Sequence, residues 1–233
     1  RLKYAFQMPQ ASVQAQTYKD AYQGIGVAYH TLNPQLGNPL SAFIFQGAPI
    51  KRFTSSLSLN YEWNLGLTFN WHPYNQETNP QNKVIGSKVT AYIDADFYLR
   101  WRLSNHLDLN AGISLSHYSN GNTSIPNAGL NIIGGRVSLA YYLNRKNDKL
   151  IPKRAIPPFN KHISYDLLVY GAWRKQGMYL DGNPVALPDR YGVIGFNFTP
   201  LYNLNHWFNA GISLDGVYDS SSNLYIEDHL VGI

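Results

Sequence analysis

Residues 89–101 read VTAYIDADFYLRW, and this stretch decides the fold. Val89, Ala91, Ile93, Ala95, Phe97, Leu99 and Trp101 fall on one face of an extended chain. Lys88, Thr90, Tyr92, Asp94, Asp96, Tyr98, Arg100 and Arg102 fall on the other. Alternation with period two marks a strand with one apolar and one polar face. The run is longer than the ~5–6 residues of a common globular strand. It matches the ~9–11 or more residues of a tilted membrane strand.

The pattern recurs on both sides. Leu57, Leu59, Tyr61 and Trp63 alternate with Ser58, Asn60 and Glu62, and Leu65, Leu67, Phe69 and Trp71 with Gly66, Thr68 and Asn70. Leu107, Leu109, Ala111, Ile113 and Leu115 alternate with Asp108, Asn110, Gly112 and Ser114. Val137, Leu139, Tyr141 and Leu143 alternate with Arg136, Ser138 and Ala140. Ile163, Tyr165, Leu167, Val169 and Trp173 oppose Ser164, Asp166 and Tyr170, and Phe208, Ala210, Ile212 and Leu214 oppose Asn209, Gly211, Ser213 and Asp215. Residues 24–31, 191–199 and 224–233 carry weaker versions. The expectation is an all-β, antiparallel transmembrane β-barrel of about 8–12 strands, a single domain over residues 1–233 in a Gram-negative outer membrane.

Composition fits. Hydrophobic residues make up 44%, yet no stretch approaches the ~20 apolar residues of a membrane helix. Charged residues are only 14%, against ~25% in soluble domains. Tyr 18, Phe 10 and Trp 5 supply aromatic girdles. A soluble β-sandwich can share this composition, so the alternation and its length carry the argument. Cysteine is absent, which excludes a disulfide scaffold and a thiolate metal site. The first residue is Arg1, and the expectation is that a signal peptide is removed or lies outside this sequence, with truncation at either end left open. Lys+Arg 19 against Asp+Glu 14 favours phosphorylated lipids as neighbours and gives no nucleic-acid stripe.

Connections alternate in length. Tight turns are expected at 63–64, 104–105 and 202–205, and long polar outer loops at 73–83, 118–128 and 175–190. The loop from Asn144 to Lys161 is long, basic and Pro-rich although its place in the order is periplasmic. It reads as a docking or plug-like segment, the candidate site for a protein partner.

One constellation carries chemistry. His117-Tyr118-Ser119-Asn120-Gly121 directly follows the strand that begins at Leu107. His117 and Ser119 share a face with Leu107, Leu109, Ile113 and Leu115, and Asn131 shares one with Val137, Leu139 and Tyr141. All three are expected on the lipid-facing wall near the outer rim, where polar groups are costly unless they have a task. Ser, His and an orienting third group form an acyl-transfer triad. The bland alternative is a polar hairpin end with a turn at residues 119–121, and spacing alone favours it because His-x-Ser is short.

His117-Tyr-Ser119-Asn120 followed by Pro126-Asn127-Ala-Gly129-Leu-Asn131 resembles the signature of the outer-membrane lipid A 3-O-deacylases (PagL-type) and the related acyloxyacyl hydrolases. The close match covers one hairpin, and the strand pattern agrees over most of the chain. The resemblance implies a barrel that hydrolyses an ester-linked acyl chain of lipid A with no cofactor. It implies Ser119 as nucleophile, His117 as base, Asn131 as third member, and Asn120 with Gly121 at the oxyanion. Lipopolysaccharide and outer-membrane lipids are then the partners. The sequence departs from the family at Asn131, where Glu is usual. Loss of that charge costs ~10⁴ in turnover in a serine protease, so slow turnover, recruitment of another acid and inactivity are all open. It also departs after Asn120, where Gly121 follows at once and Asn122 comes next.

Other candidates are weaker. Asp94, Asp96, Arg100 and Arg102 could form a carboxylate site, but more simply pair with Lys88, Arg136, Asp108 or Asp166 to fill a narrow barrel. Asn122-Thr-Ser and Asn197-Phe-Thr match a glycosylation pattern by chance in a bacterial barrel. His30, His72, His106, His162, His206 and His229 lack metal-ligand spacing. No P-loop, dinucleotide fingerprint or Gly-x-Ser-x-Gly elbow is present. Two readings follow: an outer-membrane esterase acting on lipid A, or a non-catalytic barrel serving structure, assembly or narrow conduction. About ten strands can fill their interior with side chains, so conductance across a planar bilayer is expected to be negligible. Large, steady single-channel currents would favour the conducting reading.

Overall fold

The computed structural model describes residues 1–8, 12–18, 21–143, 145 and 156–222. The expected strand at 224–233 and most of the loop from Asn144 to Lys161 lie outside the described residues. The described residues are all-β apart from one short helix, α1 (Val13–Thr17). No described helix is long and apolar enough to cross a membrane. The chain divides into two compact units, one of Arg1–Trp71, Lys88–Ser119 and Gly129–Pro157, the other of His72–Ser87, Asn120–Ala128 and Pro158–Ile233.

The first unit holds a seven-stranded sheet of β1 (Leu2–Gln7), β2 (Tyr22–Tyr29), β3 (Leu40–Arg52), β4 (Leu57–Phe69), β5 (Val89–Arg102), β6 (Leu107–Ser119) and β7 (Leu130–Tyr141). Every strand pairs antiparallel with its neighbours in sequence. Burial along the strands is inverted relative to a water-soluble sheet. On β5, Tyr92, Asp94 and Asp96 are fully buried, while Ile93 is 51% and Trp101 55% exposed. On β4, Asn60, Glu62, Asn64 and Thr68 are buried and Leu65, Leu67 and Phe69 exposed. On β7, Ile133 and Val137 are almost fully exposed. An apolar outer face around a polar interior is what hydrocarbon surroundings select, and it identifies the strands as those of a transmembrane barrel wall.

The polar face is concave. Strands four places apart in a flat sheet stand about 19 Å apart, given a spacing of ~4.8 Å. Yet Lys3 on β1 binds Glu62 on β4 and lies 3.8 Å from Asp96 on β5, and Tyr22 on β2 shares a hydrogen bond with Tyr98 on β5. Only a strongly curled sheet brings these side chains together. The interior is ionic. Arg1 donates to Asp94 at 2.8 Å, Arg136 pairs with Asp96 and, at 3.3 Å, with Glu62. Ser114 and Ser116 donate to Asp94 at 2.7 and 2.5 Å. Farther along, Asp108 takes Arg145 at 2.5 Å and Arg100 at 3.7 Å. Arg136 and Asp108 are thus among the expected partners, whereas Arg1, Lys3 and Arg145 come from chain segments that strand parity did not single out. Glycine on this face makes room for a ring: a Cβ on Gly26 would meet the Phe43 ring at 2.5–2.6 Å.

Three expectations need correction. The turn expected at 63–64 is the middle of β4, because the apolar positions on both sides share one odd-numbered parity and so form a single continuous strand. Trp71 does not continue that outer face. Asn70 takes a positive φ of 66°, and Trp71 turns inward, 2% exposed, with its indole N–H on Thr90 at 3.0 Å. The expected loop at 175–190 is instead mostly strand. In the second unit β8 (His162–Leu180) and β9 (Asn183–Asn203) form one long hairpin with its turn at Asp181 and Gly182, both at positive φ. β10 (Asn209–Gly211) and β11 (Leu214–Asp219) then pair in succession with β9. Ile85 and Leu187 are buried in this unit.

The ionic interior yields a direct expectation. Removing one member of a buried ion pair costs ~3–5 kcal/mol. Asp96→Ala should fall at the low end, because Glu62 remains to hold Lys3 and Arg136. The urea midpoint of the protein refolded into lipid vesicles, read by Trp fluorescence, should drop. An unchanged midpoint would show that the network contributes nothing to stability.

Candidate active site on the outer face of the sheet

The last turn of alternation on β6 sets the site. Tyr118 points inward and is 1% exposed. Its ring stacks on Tyr92 at 5.3 Å and meets Trp71 and His30 edge-on at 5.3 and 5.5 Å. His30, in the segment after β2, is pushed down to about 4, chiefly by burial, and packs as a neutral ring that also touches Ser41 at 2.8 Å. Three rings therefore clamp Tyr118. Because side chains alternate, this clamp fixes His117 and Ser119 on the opposite, outer face.

Across the sheet His117 stands opposite Asn131 on β7 and Ile93 on β5, and Ser119 stands opposite Ala91. His117 Nδ1 lies 2.7 Å from Asn131 Oδ1. An amide oxygen only accepts, so Nδ1 carries the hydrogen of the neutral ring and Nε2 keeps the lone pair. That tautomer is the one a general base needs. The surroundings are apolar: Ile113, Leu115 and Ile133 are all exposed on the same face.

Asn120 and Gly121 begin the loop of the second unit that ends at Ala128. The Asn120 N–H donates to Asn127 Oδ1 at 3.0 Å, and its side-chain amide donates to Ser124 O at 3.0 Å. The Asn120 side-chain oxygen is buried without a hydrogen-bond partner. Asn127 also donates to Asn122 Oδ1 at 3.0 Å, and Asn122 O accepts the Lys175 N–H at 2.8 Å. Gly121 and Asn122 both take positive φ, 63° and 61°. Asn is the residue other than Gly that visits this region most readily, so Asn122 can follow Gly121 through the turn.

The structure thus brings His117 and Asn131 into contact and puts Ser119 on their face. Two residues in the site's support went unassigned in the sequence reading. Tyr118 could have been found from its parity with Ser114 and Ser116. Asn127 offered no periodic signal, because its role depends on a turn.

Comparisons with known proteins identify the family. The family model described as lipid A 3-O-deacylase (PagL) matches residues 1–140. That described as acyloxyacyl hydrolase, C-terminal domain, matches residues 163–231. No curated protein and no solved structure matches the chain. The first match spans more than half of the 233 residues and contains His117, Ser119 and Asn131, and the chain belongs to the lipid A 3-O-deacylase family of outer-membrane β-barrel hydrolases.

Proposed function

We propose that this protein is an outer-membrane esterase that removes an ester-linked acyl chain from lipid A by a Ser/His mechanism. The 2.7 Å contact between His117 Nδ1 and Asn131 Oδ1, on the apolar outer face that also carries Ser119, is the observation that supports this most strongly. His117 Nε2 takes the Ser119 proton as Oγ attacks the ester carbonyl. The tetrahedral oxyanion collapses, the C–O bond to the sugar breaks, and the proton passes from His117 to the sugar oxygen. Water, deprotonated by His117, then hydrolyses the acyl-Ser119 ester and releases the fatty acid. Asn131 holds the imidazole in the productive tautomer but adds no charge to the imidazolium, which makes turnover slow.

Asn120 and Gly121 are the proposed oxyanion donors. With the Asn120 N–H resting on Asn127 Oδ1, a substrate oxyanion must take Asn127's place to use it. Substrate arrives sideways through the outer leaflet, since both His117 and Ser119 are on the apolar face. The basic loop from Asn144 to Lys161 is the proposed site for a protein partner.

Ser119→Ala should abolish fatty acid release from purified lipopolysaccharide while leaving the barrel heat-modifiable on gels, and His117→Ala should do the same. Asn131→Glu should raise turnover, by up to the ~10²–10⁴ of a well-placed catalytic group. Wild type and Asn131→Glu both inert on several lipid A preparations would leave the non-catalytic barrel standing. An active wild type with a dead Asn131→Glu would take the third role away from Asn131.

A further inference from the structure

Nδ1 of His117 is held by Asn131, so chemistry at this ring must pass through its other edge, Cε1–Nε2. Gly129 lies beside that edge. Gly129 takes a φ of +72° at the entry to β7, and a Cβ built there would come within 3.2 Å of His117 Cε1 and 3.9 Å of Nε2. The next neighbour of that Cβ would be the Tyr118 carbonyl oxygen at 3.5 Å. A contact of 3.2 Å requires the neighbour to give way. The ring has little freedom to do so, being tied at Nδ1 and anchored through the buried Tyr118 that follows it.

From this geometry we infer that Gly129 is a positioning residue: its missing side chain keeps the Nε2 edge of His117 open for proton transfer. The glycine also serves the backbone. Positive φ is costly for most residues with a Cβ, and this turn brings Leu130 opposite Tyr118 and Asn131 opposite His117. The two contributions are separable. Asn tolerates left-handed backbone far better than Ala, yet it brings the same Cβ. Gly129→Asn therefore preserves the turn and still covers the ring edge, whereas Gly129→Ala disturbs both. The inference rests on the proposed role of His117 as base, so its test needs a readout that does not depend on turnover.

Diethyl pyrocarbonate acylates an unprotonated imidazole nitrogen, here Nε2, and mass spectrometry of peptides reports the rate at each histidine. The full-length barrel in detergent or vesicles would be labelled as wild type, Gly129→Ala and Gly129→Asn, with exposed His162 as internal reference. Labelling of His117 should slow several-fold in both variants while His162 is unchanged. Release of fatty acid should fall in parallel, on the order of 10²-fold for loss of an acid–base group, and should fall in kcat rather than KM. Wild-type labelling of His117 in a folded Gly129→Asn barrel would overturn the inference, whatever the activity. So would slowed labelling with full activity. If both variants failed to fold while His117→Ala folded, Gly129 would serve the turn alone and the inference would fall. A wild type that releases no fatty acid, with labelling still slowed in the variants, would sink the deacylase reading and leave the contact between Gly129 and His117 in place.

Discussion

In hydrocarbon every ionised side chain must turn inward and find a partner there, and Asp96 is where this chain meets that demand. Arg136 from β7 and Lys3 from β1 converge on it, with Arg1 at 3.5 Å. These partners are far apart in sequence and become neighbours only when the sheet curls. The same contacts leave the outer face to Ile, Leu, Val and aromatic residues. An inside-out distribution of polarity is thus both the cause of the curvature and its result. Lys3 and Arg136 bridge Asp96 and Glu62 together, so the charges form a closed set and not a row of separate pairs.

From that inversion follows the unusual address of the proposed active site. A soluble hydrolase gathers its polar groups in a cleft. Here His117, Ser119 and Asn131 stand among exposed aliphatic side chains because Tyr118, between the first two, is committed to the interior. The alternation that sends Tyr118 into a cage of Tyr92, Trp71 and His30 sends its neighbours the other way. Packing on one face of the sheet therefore determines chemistry on the other.

Much of this was legible in the sequence, and the limits have physical reasons. The run from Val89 to Trp101 announces a membrane strand because side-chain direction in a strand depends only on parity. Parity also placed His117, Ser119 and Asn131 on one face, and the family signature singled them out. Reading Trp63 and Asn64 as a turn failed because an Asn in the middle of a strand looks like punctuation when its interior partner, Asp94 on β5, is unknown. Between Lys175 and Arg190 Pro, Gly and Asp cluster as they do in loops, yet the segment pairs as a hairpin whose register shifts once, between Lys175 and Gly177. The ionic partners Arg1 and Lys3 were invisible for another reason. Their assignment depends on how far the sheet curls, and no local pattern encodes that. Asn127 and Gly129 act through turn geometry, which alternation does not describe.

The pairing of His117 with an amide in place of a carboxylate has a consequence for how the wall enters the bilayer. An ionised residue on the outward side of β7 would have to shed its hydration against lipid tails before its imidazole partner was in place, and the penalty for a charge on that side rises with depth. Asn131 carries none. The strand pair β6–β7 can settle against lipid with its polar spot electrically neutral and internally bonded, so the spot adds little to the barrier for insertion. Slow chemistry and easy assembly would then have a common origin in one uncharged side chain.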